Sequence, residues 1–310
     1  MSKFPNDKKH LPFGHSAAIA DEKCLELLAN YQPNFKQIMS AETIADEFCE
    51  KYAYWLSNST NHTVIGFDDF KFKTYSHGTT EAFDKFYIRN KDRRFRCFKT
   101  EYMYHQLAWR NVWDNWKFIE DDDLKEGDAV LISIPFADTG DKHHLHDQVL
   151  EQCNKLGIPV LVDCCYFSIA TGLTIDLSHS CITDVTFSLS KAFPVAHARI
   201  GMRMTRIDDD DTLFVYQKST YNNRLGAALG LEFINNFSCD YIPNTYREKQ
   251  KEFCELLGVV PSKTVLFGIA QSNWHEYNRG GTVNRLSLHK HLTNNIEALK
   301  GVINGSSIKQ

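Results

Sequence analysis

Three segments in the middle of the chain constrain its fold more than any others: AVLISIP from Ala129, IPVLVDCCY from Ile158 and DVTFSLSK from Asp184. A strand with one wet face alternates apolar and polar residues. A run without alternation is covered on both faces, which is the condition of strands inside a parallel sheet. Between the first two, FADTGDKHHLHDQVLEQCNKLG supplies a turn and a helix, so the three pieces read as a right-handed βαβ unit. The second run leads into Asp163 and Tyr166, and the third into Ser188, Ser190 and Lys191, with Arg199 and Gly201 after it. Polar residues at the carboxyl ends of buried parallel strands stand where open α/β sheets place ligands.

The remaining segments extend this frame. ARIGMRMTR alternates and follows a short return, so it is expected antiparallel to DVTFSLS. Apolar residues at three- and four-residue intervals predict helices in AAIADEKCLELLANY and SAETIADEFCEKYAYWL, the second capped around Ser40, Glu42 and Thr43. These helices read as scaffold, or as cover for a site or a partner subunit; the first dozen residues read as loose. KFKTYSHGTTEAF is a loop entering a helix, and RRFRCFKT a strand whose Arg93, Arg94 and Arg96 read as a solvated edge. EYMYHQLAWRNVWDNW is a ring-rich helix and EDDDLKEGD a solvated acidic connection. Later come helices in NNRLGAALGLEFINNF, YIPNTYREKQKEFCELLGVV and HKHLTNNIEALKGVI, with strands in TVLFGIA and GGTVNRLSL. The expected fold class is α/β, a doubly wound, mostly parallel sheet with a smaller α+β domain. Residues 1–70 are expected as an N-terminal helical segment serving the small domain or an interface, 71–234 as the large domain, and 235–310 as the C-terminal small domain.

Composition narrows the function. With 310 residues and 43% apolar content the chain can bury a large core, and a formal charge of -4 without a basic block argues against nucleic acid. No apolar run is long enough for a membrane span, and MSKFPNDKKHLPFG lacks the apolar segment of a secretory signal. Nine cysteines, two of them adjacent at Cys164 and Cys165, suit reduced thiols in a cytoplasmic protein. His143, His144 and His146 lack a convincing further ligand nearby and read as a solvated helix start, so no metal is expected. No G-x-G-x-x-G follows a first strand, which argues against a dinucleotide site.

Asp163, Tyr166, Lys191 and Arg199 offer an acid, a phenol, an amine and a guanidinium. A phosphorylated pyridine aldehyde is the cofactor that matches this set. A partly desolvated lysine amine can condense with the aldehyde and later move a proton, and a carboxylate can pair with the protonated ring nitrogen. Arg199, with Ser188 and Ser190, can bind a phosphate. So can the helix start at Gly78, Thr79 and Thr80, through free N–H groups and hydroxyls. Tyr102 or Tyr104 can stack on a planar ring.

D-x-x-Y at Asp163–Tyr166, S-x-S-K at Ser188–Lys191 and K-A-F-x5-R-x-G through Arg199 and Gly201 together resemble the signature of fold-type-I pyridoxal-phosphate enzymes, in particular the class I/II aminotransferases related to aspartate aminotransferase. The resemblance spans about residues 75–295. It implies Lys191 as the covalent anchor, Asp163 as the pyridine partner, Tyr166 on the ring oxygen, and Ser188, Ser190 and Arg199 near the phosphate. It also implies HGTTEAF as the phosphate-binding helix start with Gly78, Thr79 and Thr80, Tyr102 or Tyr104 as the stacking ring, and Arg285 in VNRLSL as the clamp on a substrate carboxylate. Where the family has P-x-N-P-T-G, this chain has Pro135 to Gly140 with Ala137 at the asparagine position, so that contact is missing or supplied by Asp138. The resemblance further implies a homodimer, with Tyr221, Asn222 or Arg224 near a neighbouring site. The expected reaction is amino transfer between an α-amino acid and a 2-oxo acid; the alternative is elimination, replacement or cyclisation on the same cofactor.

Overall fold

The computed structural model describes residues 11–112, 114–208 and 211–305. An irregular arm from Leu11 to Ala20 leads into helices α1 (Glu22–Asn30), α2 (Phe35–Ser40) and α3 (Ile44–Ser57). Then follow β1 (His62–Ile65), β2 (Phe72–Ser76), α4 (Thr79–Arg89), β3 (Arg94–Cys97), α5 (Met103–Val112), β4 (Trp116–Phe118) and β5 (Asp128–Ser133). The middle of the chain gives α6 (His146–Leu156), β6 (Val160–Asp163), β7 (Leu173–Asp176), β8 (Ile182–Ser188) and β9 (Gly201–Thr205). The last part gives α7 (Thr212–Lys218), α8 (Arg224–Asn236), α9 (Tyr241–Leu257), β10 (Val260–Pro261), β11 (Phe267–Ala270), β12 (Asn284–Ser287) and α10 (Ile296–Gly305).

The apolar runs pair as their composition requires. A seven-stranded sheet has the order β2-β9-β8-β6-β5-β3-β4. Strands β4, β3, β5, β6 and β8 are mutually parallel, and β9 runs antiparallel between β8 and β2. Every residue of β5 and β6 is buried, because helices cover both faces of the sheet. The crossover helix α6 ends at Gly157, whose φ of 63° lets the chain turn back into β6. β10, β11 and β12 form a separate antiparallel sheet, and β1 pairs with β7.

Several local expectations change. Ser40 does not cap α3: it ends α2, its hydroxyl donating to Lys36 and Gln37 carbonyls, and α3 starts after Thr43. Arg94 and Arg96 are not a solvated edge, because the short strand β4 lies outside β3. Arg96 is fully buried, and its guanidinium meets Asp128 at 2.6 Å; Arg94 meets Asp128 at 2.7 Å and also pairs with Asp122. The acidic connection is therefore partly turned inward to neutralise them. His143 and His146 are buried rather than solvated, His143 stacking on Phe98 with ring centroids 3.7 Å apart. Among the described residues no group of histidines, cysteines and acids is placed to hold a metal. Only the second half of HKHLTNNIEALKGVI is helical. All nine cysteines are free, and among the described residues no helix is long and apolar enough to cross a membrane.

Candidate active site

Neighbouring parallel strands carry side chains to one place because register fixes where each strand ends. Ser133 on β5 pairs with Asp163 on β6, and the next strand, β8, ends at Ser188. These three residues, with Thr79, Thr80, Tyr102, Pro135, Ala137, Cys165, Tyr166, Ser190, Lys191, His197 and Arg199, line a cavity of about 280 Å³. The wall is completed by His15, Ser16 and Ala17 of the N-terminal arm.

The arm has a definite seat. The Phe13 ring packs against Trp274, Tyr277 and His291, while Ser287 N–H donates to the Phe13 carbonyl at 2.8 Å. That anchoring carries Ser16 to Lys191, whose ammonium donates to the Ser16 carbonyl at 2.8 Å. Asp163 is buried, and its Oδ1 accepts from Cys165 N–H at 3.0 Å. Burial, reinforced by the Glu101 carboxylate, pushes its pKa up to about 8, against the pull of the Cys165 N–H and the Lys191 ammonium.

A second group of wall residues offers donors to an anion. Gly78 has a φ of 72° and precedes α4, so the helix N-terminus opens toward Arg199. Arg199 Nη2 donates to the His77 carbonyl and to Thr80 Oγ1, both at 3.0 Å. A Cβ on Gly78 would stand 2.4 Å from Arg199 Nη2, and one on Gly201 would stand 2.8 Å from Gly78 Cα. Both glycines are thus needed for guanidinium and helix start to meet. Arg199 itself takes a φ of 54°, an uncommon conformation for a residue with a side chain. Ser188 and Ser190 hydroxyls lie 2.8 Å apart beside it.

The structure separates two residues that sequence could not. Tyr102 lines the cavity, whereas the Tyr104 hydroxyl donates to Asp84 on α4 at 2.8 Å. Arg285 stands behind the wall: its Nη1 donates to the Ala137 carbonyl, and its guanidinium lies 4.4 Å from the Phe267 ring centroid. Burial, with Arg279 nearby, pulls its pKa down to about 10, partly offset by Tyr166 and Asp138. Ala137 faces the cavity, and Asp138 is buried in an ion pair with Arg279 at 3.2 Å.

The arm residues His15 to Ala17, and Glu101 with Ser133, have no local sequence signature. Their positions follow from contacts spanning 175 and 32 residues.

No protein-family model and no curated protein matches the chain. Solved structures do. The histidinol-phosphate aminotransferase from Clostridium acetobutylicum shares 13% identity at a TM-score of 0.65, over 94% of this chain and 99% of that one. A pyridoxal-phosphate-bound C–S lyase from Staphylococcus hominis shares 10% at 0.64, over 94% and 89%. The L-threonine-O-3-phosphate decarboxylase from Porphyromonas gingivalis shares 14% at 0.61, over 94% and 96%. One scaffold serves all three reactions. The chain has the fold of the fold-type-I, class I/II aminotransferase-like proteins.

Proposed function

We propose that the chain is an enzyme that holds pyridoxal 5′-phosphate in this cavity and moves an amino group between an α-amino acid and a 2-oxo acid. The residues present fit that cofactor. Asp163 is a buried carboxyl with a raised pKa, a site short of positive charge that a protonated pyridine nitrogen would offset. Arg199, Thr79, Thr80, Ser188 and Ser190 offer charge, hydroxyls and a helix N-terminus for a phosphate. When bound, the cofactor supplies a carbonyl that condenses with amines and a ring that accepts the electron pair left at the substrate Cα. The observation that carries the reading is the convergence of acid, amine and phosphate anchors on one cavity at the carboxyl ends of β6 and β8.

In this reading Lys191 would be the covalent anchor, its amine leaving the Ser16 carbonyl and condensing with the cofactor's aldehyde with loss of water, and once free again that amine would carry the proton lost from the substrate Cα. Asp163 would hold the ring-nitrogen proton, Tyr166 would donate to the ring oxygen, and Tyr102 would cover the ring. Arg285 orients the substrate carboxylate, its planar guanidinium suiting two parallel hydrogen bonds. It must first give up the Ala137 carbonyl. Tyr221, exposed at 82%, and the exposed Phe35, Met39, Tyr216 and Leu225 provide apolar surface for a second copy of the chain. Arg224, by contrast, is engaged with the Met39 and Thr220 carbonyls, and Asn222 with Gln217.

Purified with added cofactor, the protein is expected to show a visible absorption band and a borohydride-trapped adduct on Lys191, both lost in Lys191→Ala. A wild type with neither overturns the reading. Conversion of the cofactor to its amine form by an amino donor supports transfer. Turnover without that product supports elimination, replacement or cyclisation, for which the lack of a polar side chain at Ala137 leaves room.

A further inference from the structure

Behind the cavity wall lies a second buried carboxylate. Glu101 follows β3, is 1% exposed, and bonds two wall residues, Ser133 and Tyr102, with a third, Ala137, reached through Ser133. Its Oε1 accepts from Ser133 N–H at 2.8 Å, and its Oε2 accepts from the Ser133 hydroxyl at 2.6 Å and from Tyr102 N–H at 3.3 Å. Ser133 Oγ in turn accepts from Ala137 N–H at 3.1 Å. One side chain therefore braces the ring-covering Tyr102, the strand end at Ser133 and the Ala137 turn.

Ser133 is also the register partner of Asp163 on the adjoining strand, so the end of β5 stands between the two buried carboxyl groups, Glu101 beyond β3 on one side and Asp163 of β6 on the other. The chain reaches Glu101 through Thr100, whose φ of 64° is costly for a β-branched residue. Arg279 holds that turn, donating to the Thr100 and Ala137 carbonyls at 3.2 and 3.1 Å. A hydrophobic side chain at position 101 would brace the wall by packing alone; a carboxylate adds charge.

We propose that Glu101 is a positioning residue of the site, a second negative charge acting through Ser133, Tyr102 and Asp163 on whatever occupies the ring end of the cavity. This rests on the cofactor reading above. The charged and titratable groups facing Glu101 are Asp163 on β6, Arg279 ahead of β12, and Cys97 on β3, so Arg279 is the one cation among these three. Burial pushes the Glu101 pKa up to about 7, with the Ser133 and Tyr102 bonds and Arg279 pulling the other way. Around neutral pH it therefore carries substantial negative charge beside Asp163. An anion near a cationic nitrogen keeps its proton on, so removing the anion lowers the pH at which that nitrogen titrates.

The test is a pH titration of the visible band of the cofactor-loaded wild type, Glu101→Gln and Glu101→Ala, with cofactor dissociation constants measured on the same samples. Glu101→Gln keeps the shape and loses the charge. It is expected to retain one cofactor per chain and to shift the band's midpoint down by about one pH unit. Glu101→Ala releases the brace as well and is expected to weaken cofactor binding tenfold or more. An unchanged midpoint in Glu101→Gln overturns the proposal even if Glu101→Ala has lost cofactor, because a brace alone would do that. Should Glu101→Gln fail to fold, Ser133→Ala replaces it: losing the hydroxyl donor favours neutral Glu101 and is expected to move the midpoint the same way. No shift there overturns the proposal equally. A wild type with no visible band defeats the cofactor reading instead, and the two failures are thereby told apart.

Discussion

The two ends of the same parallel strands handle buried charge in opposite ways. At the amino end, Asp128 at the start of β5 accepts from Arg94 Nε at 2.7 Å and Nη2 at 3.0 Å, from Arg96 Nη1 at 2.6 Å and from Lys125 N–H at 3.0 Å. At the carboxyl end, Asp163 of β6 has the Cys165 N–H, and Glu101 sits nearby as a like charge. The consequence appears in their proton affinities. The hydrogen bonds of its arginines and of Lys125 hold Asp128 below the usual carboxylate range against its burial, while burial and Glu101 raise Asp163. A charge cluster that satisfies itself is structural. One that leaves a demand unmet is a place for a ligand.

The largest expected effect tests the satisfied end. Asp128→Ala strands the fully buried Arg96, and losing one partner of a buried ion pair costs about 3–5 kcal/mol. Urea unfolding is expected to show that loss. Asp163→Asn, at the unmet end, is expected to cause no loss of stability at neutral pH while abolishing retention of the cofactor. Equal destabilisation by both would erase the distinction between the two ends.

The next effect sharpens it through pH. The folded pKa of Asp163, about 8, lies above its unfolded value near 3.9, so between those values the folded state binds the extra proton. Stability is then fully present below about pH 4 and is lost as pH rises through 8. Glu101, raised to about 7, acts in the same direction. Cofactor-free protein is expected to lose on the order of a few kcal/mol between pH 5 and 8. Asp163→Asn flattens that slope, as measured by unfolding midpoints across the range. A wild-type slope as flat as the variant's would mean that the Cys165 N–H and Lys191 already offset the burial of Asp163.

How much of this was legible in the sequence depends on how far apart the interacting residues lie. The runs around Ile132, Val162 and Phe187 announced buried strands because an apolar run admits few other environments. Asp163, Lys191 and Arg199 were legible from where those runs stop. Arg93, Arg94 and Arg96 read as a solvated edge, but the three-residue strand β4 pairs along that edge, and such a strand leaves almost no pattern. Tyr102 and Tyr104 share one ring-rich segment, and only packing decides which faces the cavity. Glu101 depends on Ser133 in another strand, and the arm's Ser16 reaches Lys191 from 175 residues away. Neither pairing has a local cause.

The smallest effect runs in the other direction and comes from the two buried histidines just before and at the start of α6. Burial lowers His143 and His146 to about 4, below the unfolded value near 6.5, so the folded state keeps them neutral. Their contribution is present above about pH 6.5 and is lost as pH falls through 4. His143→Phe preserves the stack on Phe98 and removes one of these groups. It is expected to leave stability at pH 8 nearly unchanged and to retain about 1 kcal/mol more than wild type at pH 5, read as a smaller acid shift in the thermal midpoint. Because the buried carboxyls weaken the protein on the alkaline side and these histidines on the acid side, Asp163→Asn and His143→Phe should flatten opposite limbs of one stability curve. Two substitutions that flatten the same limb would show that one of the two sites titrates against a partner other than those named here.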